Sequence, residues 1–283
     1  MPRARLALLC LLAIGGFAAN SLLARRALGA HLAGAASFTA LRLLSGAAVL
    51  WLLSRQRPRA GAEAGWPSAL ALFLYAAPFS LAYLGLPAGV GALLLFGSVQ
   101  ATMMATAIAR GERPPLRTWA GLLVALGGLG WLTLPGTDAP APAAALTMIG
   151  AGAAWGAYSL RGRRSVDGVA ATADAFIRAA PMALLLWGGA HLFAPAAAAL
   201  SPKGAALALA SGMLASGLGY SLWNMALPHL SRSTAAVLQL SAPVLAALGG
   251  VALLGETLTL RLAIGGAAIL CGVAVAVLPR RVK

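Results

Sequence analysis

Read as a string of apolar and polar positions, the chain is a succession of long apolar runs, each closed by a short group of arginines, glycines or prolines. Ten such runs can be drawn, at about 6–24, 34–54, 67–84, 88–109, 116–134, 144–160, 171–193, 204–226, 233–254 and 259–278. About 20 apolar residues cross the hydrocarbon core of a bilayer as a helix, and the alternating pattern of a membrane β-barrel strand is absent. Hydrocarbon offers no partner to backbone N–H and C=O groups, so each run is expected to satisfy them internally as a helix. The expected fold class is therefore all-α, an integral membrane protein of ten transmembrane helices. The first run follows Arg3 and Arg5, and Phe17-Ala18-Ala19 near its end also resembles a signal-peptide cleavage site. The internal repeat described below instead gives this run a partner later in the chain.

Composition narrows the function. A 283-residue chain that is 60% hydrophobic and 10% charged, with mean hydropathy +0.86, is no ordinary soluble domain and has no room for a soluble catalytic domain or long binding tail. A formal charge of +15 would suggest nucleic acid in a soluble chain. Here the basic residues come in twos and threes between apolar runs, as in cytoplasmic loops, so the expected partner is the lipid bilayer and no nucleic acid is expected. With the N-terminus inside, fifteen Lys and Arg fall on the cytoplasmic side and four outside (Arg25, Arg26, Lys203 and Arg261), while Arg42 and Arg178 lie within runs. That asymmetry predicts both termini cytoplasmic. Cys10 and Cys271 both lie in apolar runs and suggest neither a disulfide nor a metal site.

The chain aligns on itself. Leu86–Pro135 matches Leu230–Pro279 without a gap at a shift of 144, and the core of the match is Gly111-Glu112-x-x-x-Leu116-Arg117-x-x-x-Gly121 on Gly255-Glu256-x-x-x-Leu260-Arg261-x-x-x-Gly265. That core uses two of only six acidic residues. Earlier, the Phe17 to Leu22 stretch with Arg25-Arg26 meets Trp155 to Leu160 with Arg163-Arg164 at a shift of 138. Five helices per half is an odd number, so the second half is expected to enter the membrane inverted, an arrangement from which secondary transporters make inward- and outward-facing states.

The paired Gly111-Glu112 and Gly255-Glu256, the run Tyr220-Ser-Leu-Trp223-Asn224-x-Ala226-Leu227, and Ala235-Ala236 followed by Pro243-Val244 together resemble the EamA-domain permeases of the drug/metabolite transporter superfamily. The resemblance covers nearly the whole chain as two units, 6–135 and 144–279. It implies a ten-helix carrier of the bacterial inner membrane with a central cavity, commonly exporting amino acids or related metabolites. Val99 stands where the second half has Pro243, so a hinge at that proline would not be symmetric.

Polar and aromatic residues share helix faces at the i, i+3, i+4 spacing in three places: Phe17, Asn20 and Ser21; Trp155, Tyr158 and Ser159; and Tyr220, Trp223 and Asn224. Tyr75, Phe79 and Tyr83 lie beside Pro78, and Gln239 is one turn before Pro243. A pocket of aromatics with few hydrogen-bonding groups suits a small amphipathic ligand. The candidate substrate-binding residues are Trp155, Tyr158, Trp223, Asn224, Tyr75, Tyr83, Asn20 and Gln239. The competing reading makes Ser and Asn bond neighbouring helices and Trp and Tyr sit in the interfacial belt.

Arg42 and Arg178 hold matching places in the second helix of each half, where a buried arginine either binds a substrate carboxylate or serves the fold by snorkelling or pairing locally. Glu112 and Glu256 precede the last helix of each half and are expected to cap its first turn. The glycines of 127–131 and 265–273 read as packing faces. No phosphate-binding loop, paired catalytic carboxylates, nucleophile triad or metal-ligand spacing is present, and His31, His191 and His229 are scattered. The expected function is secondary transport of small amphipathic metabolites out of the cell by alternating access, with no enzyme activity, cofactor or metal. A channel is the main alternative, and an integral-membrane enzyme the more remote one.

Overall fold

A computed structural model describes residues 2–56, 65–111, 115–134, 140–162, 167–230, 235 and 238–277. The apolar runs form α1 (Arg3–Gly29), α2 (Ala35–Ser54), α3 (Trp66–Ala82), α4 (Ala88–Ala109), α5 (Leu116–Thr133), α6 (Pro142–Gly162), α7 (Gly168–Phe193), α8 (Pro202–His229), α9 (Ser241–Leu254) and α10 (Leu260–Val277). Helices α1, α2, α4, α6, α7 and α8 are long and apolar enough to cross a bilayer, and α3, α9 and α10 are shorter apolar helices. No β-strand occurs among the described residues, although Ala33 and Leu200 form an isolated antiparallel bridge. Leu11, Leu185 and Leu253 are more than two-thirds exposed, at 71%, 77% and 73%. An outer surface of this kind needs lipid as its solvent, because lipid tails are as apolar as leucine. The protein is thus an all-helical, multi-pass membrane protein.

Local chemistry places the helix ends. Asp167 accepts from the N–H groups of Val169 and Ala170 to start α7, and Ser201 accepts from Gly204 to start α8. Gly255, at φ +66, ends α9 in the left-handed region that a glycine adopts without steric cost. The run expected to be continuous over 233–254 is interrupted at Leu240, and α9 begins at Ser241. Pro243 is the cause: it has no N–H for the Gln239 carbonyl, and its ring crowds that carbonyl. Within α8 the segment Ser211–Leu218 is a π-helix, a widened form that the run at 204–226 did not predict.

Helix α2 lies against α7, α4 against α9 and α5 against α10, while α3 packs on α6 and α1 on α8. The α5–α10 pair is the closest of these. Gly121 faces Gly272 and Gly128 faces Gly265, so near that a Cβ on Gly128 would come within 2.9 Å of the Gly265 carbonyl oxygen. The Arg117 guanidinium donates to the Val275 carbonyl at 2.8 and 3.2 Å, and Arg261 donates to the Leu134 carbonyl. The glycine stretches are packing faces, as expected, except that Gly127 and Gly130 point into open space.

Gly128→Val should therefore lower the melting temperature of the detergent-purified protein, by about 1–3 kcal/mol of overpacking. Gly127→Ala should melt at or above the wild type, since alanine at an open helical position gains up to about 1 kcal/mol. Equal losses in the two variants would show that the glycine contact does not hold this pair.

Candidate functional site

A cleft of about 90 Å³, with room for several water molecules, runs into the bundle from the C-terminal end of α6, the N-terminal end of α7 and the C-terminal end of α8. Trp155 and Tyr158 project from α6, and Tyr220, Trp223 and Asn224 from α8, because residues three and four apart share a helix face. Phe17 of α1 closes the inner end with Tyr220, and Gln239, beside the break before α9, reaches the opposite wall.

The walls are aromatic. The Trp155 ring lies 4.7 Å from Tyr75, 5.0 Å from Tyr220 and 5.1 Å from Tyr158 between centroids, and Phe17 meets both Tyr220 and Trp223 edge-on at 5.7 Å. The polar groups converge on α7. Asn224 Nδ2 donates to the Gly168 carbonyl at 3.1 Å and to Thr172 Oγ1 at 3.0 Å, and the Tyr158 hydroxyl donates to the same Thr172 oxygen at 3.3 Å. Thr172 in turn donates to the Gly168 carbonyl at 2.7 Å. The site thus offers flat apolar surface, a small, internally braced set of neutral hydrogen-bonding groups and one cation, Arg161.

Of the residues expected in the site, Trp155, Tyr158, Trp223, Asn224 and Gln239 line the cleft, and Tyr75, Asn20 and Tyr83 do not. Tyr75 and Asn20 lie one layer behind its inner wall, around Arg42. The Asn20 side chain donates to the Tyr75 hydroxyl at 3.2 Å and accepts from Ser211 at 2.7 Å. Arg42, 1% exposed, donates from Nη2 to the Tyr75 hydroxyl at 2.7 Å and to Tyr220 at 3.4 Å, and from Nε to Ser216 at 3.2 Å. Tyr83 is fully buried, donating to the Ala88 carbonyl at 3.3 Å.

The tryptophans divide into two sets. Trp51, Trp66, Trp119, Trp131 and Trp187 are each at least 41% exposed on the outer surface, as belt residues are, whereas Trp155 and Trp223 face the cleft. The two arginines expected to match also diverge: Arg178 sits at the surface of α7 in an ion pair with Asp174 at 2.9 Å. Glu256 corrects the capping expectation. Its carboxylate accepts from the Ala88 N–H at 2.8 and 3.0 Å and pairs with Arg25 Nε at 3.1 Å, so it caps α4 rather than the α10 it precedes. The left-handed turn at Gly255 sends it there, toward a helix that opens after Pro87 with no side-chain cap of its own. Glu112 lies outside the described residues. Among the described residues no three His, Cys, Asp or Glu side chains gather as a metal site would need.

Tyr220, named on its helix face but not among the candidates, and Thr172, not named at all, also line the cleft. Tyr220 was legible, since it lies on the face of Trp223 and Asn224 at i, i+3, i+4. Thr172 was not, because nothing local marks one threonine in an alanine-rich run.

The model of the EamA-like transporter family matches residues 142–278. An uncharacterized protein of Pseudomonas aeruginosa, PA1977, is 50% identical over 282 residues, spanning 99% of this chain and 97% of that one. The crystal structure of another protein superposes with a TM-score of 0.66 at 23% identity, over 97% of this chain and 98% of the other, a likeness of fold. The family match, on a chain of lipid-facing helices, makes the protein a member of the EamA-like transporter family of the drug/metabolite transporter superfamily.

Proposed function

We propose that the protein is a secondary transporter of the bacterial inner membrane that exports small amphipathic metabolites, amino acids or related compounds, by alternating access. The observation that carries this reading is a cleft walled by helices from both ends of the chain, open at one end and sealed at the other. At the sealed end Glu256 joins Arg25 to the start of α4. The α1–α2 and α7–α8 connections also join there, through Gly34 N–H to the Ala199 carbonyl at 2.8 Å and Ser201 N–H to the Leu32 carbonyl at 2.9 Å. A channel would need a path past these bonds.

Two inverted units, 6–135 and 144–279, each of five transmembrane helices, are part of the proposal. What supports them is the packing. Exchanging α1–α5 with α6–α10 turns α3 on α6 into α8 on α1, and α2 on α8 into α7 on α3. The same exchange maps each of the pairs α2–α7, α4–α9 and α5–α10 onto itself. In α5–α10 the repeat partners Gly121 and Gly265 contact Gly272 and Gly128, which are themselves repeat partners. That reciprocity is what a two-fold axis produces. With both termini cytoplasmic, the cleft opens to the cytoplasm and the Glu256 end faces outward. Reporter fusions should read cytoplasmic after residues 62 and 283 and external after 140; any reversed signal removes the orientation.

The substrate is taken to lie against Trp155, Tyr158, Trp223 and Asn224, with Gln239 opposite. Loss of a ring that stacks on it costs about 1.5–3 kcal/mol, tenfold or more in affinity. In liposomes assayed for counterflow with a mixed amino-acid panel, Trp155→Ala and Trp223→Ala should lose transport at normal folded yield. Trp51→Ala, on the outer surface, should not. If all three behave alike, the cleft is not the binding site.

Glu256 is read as holding the structure rather than carrying a proton, and transport as facilitated or exchange. Glu256→Gln should lower the melting temperature by the equivalent of about 1–2 kcal/mol, having lost an ion pair and a charged cap, while exchange per folded molecule persists. A variant of normal stability that loses only gradient-driven uptake would make Glu256 the coupling group instead.

A further inference from the structure

Taking the cleft as the substrate site, we propose that Arg42 is its anion anchor, so that the cargo carries a carboxylate beside an apolar body. Arginine cannot shed its proton in a protein, and a buried guanidinium is costly unless a negative charge answers it. Arg25 and Arg178 each have a carboxylate, Glu256 and Asp174. Arg42, more deeply buried than either, has three neutral hydroxyls, and among the described residues no carboxylate pairs with it. Its Nη1 is buried and has no hydrogen-bond partner. The faces of Tyr75 and Phe79, at 5.0 and 4.7 Å, hold the cation in place without neutralising it.

The surroundings connect this charge to the cleft. Tyr220 is both the cleft's inner wall and the most weakly held partner of Arg42, at 3.4 Å. Displacing its hydroxyl frees one N–H of Nη2, whose other N–H stays on Tyr75, beside the unpartnered Nη1, and one N–H from each of two neighbouring guanidinium nitrogens is the fork that a carboxylate takes bidentately. Ser216, which holds Nε, belongs to the π-helical segment Ser211–Leu218, and such segments cluster at functional sites. At the mouth stands a second cation, Arg161, and the other polar lining groups, among them Asn224, Gln239 and Thr172, are neutral. With a cation at each end and no acid among the described lining residues, the cleft favours a cargo that carries a carboxylate over a bare amine.

The test uses three probes of matched size, phenylacetate, phenylacetamide and 2-phenylethylamine. Each is titrated into purified full-length protein and followed by quenching of tryptophan fluorescence and by thermal shift. Phenylacetate is expected to bind at least tenfold more tightly than the amide or the amine. Arg42→Gln should weaken phenylacetate tenfold or more and leave the amide unchanged. Arg42→Lys, which keeps the charge but loses the fork, should weaken it less, and this variant decides should the glutamine variant not fold. No saturable response to phenylacetate, equal or tighter binding of the amide or amine, or a folded Arg42 variant that binds phenylacetate as the wild type does, overturns the anchor. The cleft stands or falls separately: amide or amine binding as tight as that of phenylacetate, abolished by Trp223→Ala, keeps the cleft while removing the anchor.

Discussion

Lipid withholds two things that water supplies, a hydrogen-bond partner for every polar group and a hydrophobic force between apolar surfaces, and this protein is organised around both losses. The first makes every run a helix and leaves helix ends as the places where polar chemistry has to be arranged. The second means that leucine-coated helices have little reason to associate, so close contact falls to small residues. Gly121, Gly128, Gly265 and Gly272 bring α5 and α10 backbone to backbone, and arginines at the start of each helix reach carbonyls near the end of the other.

Against that background every buried polar side chain is conspicuous, and they fall into two kinds. Serines such as Ser98 and Ser221 return their hydroxyls to the carbonyl four residues back and ask nothing of other helices. Asn20, Tyr75, Arg42, Ser216 and Tyr220 instead bond across helices from distant parts of the chain. A network of that sort fixes the middle of the bundle in one arrangement and stiffens the inner wall of the cleft.

Period and composition carried most of the fold. The apolar runs at 34–54, 88–109 and 116–134 match α2, α4 and α5 to within a residue, because lipid permits little else. Interruptions were less visible: Pro243 announced the break at Leu240, whereas the widening of α8 at Ser211–Leu218, where it packs against α1 and α2, has no sequence signal. At the site, i, i+3, i+4 spacing identified the faces that meet, so Trp155, Tyr158, Trp223 and Asn224 were legible. Depth along the bundle was not. Tyr75 and Asn20 share the same kind of face yet lie a layer beyond the cleft, and Arg42 and Arg178, alike on paper, part company because Asp174 stands one turn from only one of them.

Glu256 has a further consequence, in time rather than space. The N–H it caps belongs to Ala88, 168 residues earlier in the chain. A ribosome adding about 5–20 residues per second leaves that helix end without its partner for about ten seconds or longer while the intervening helices are made. Until Glu256 emerges, the start of α4 has only water or lipid headgroups for its free donors, and Arg25 has no carboxylate. The start of α4 is therefore completed by a residue of the second half, and a ribosome that stops short of Glu256 releases a chain in which that helix end is still uncapped.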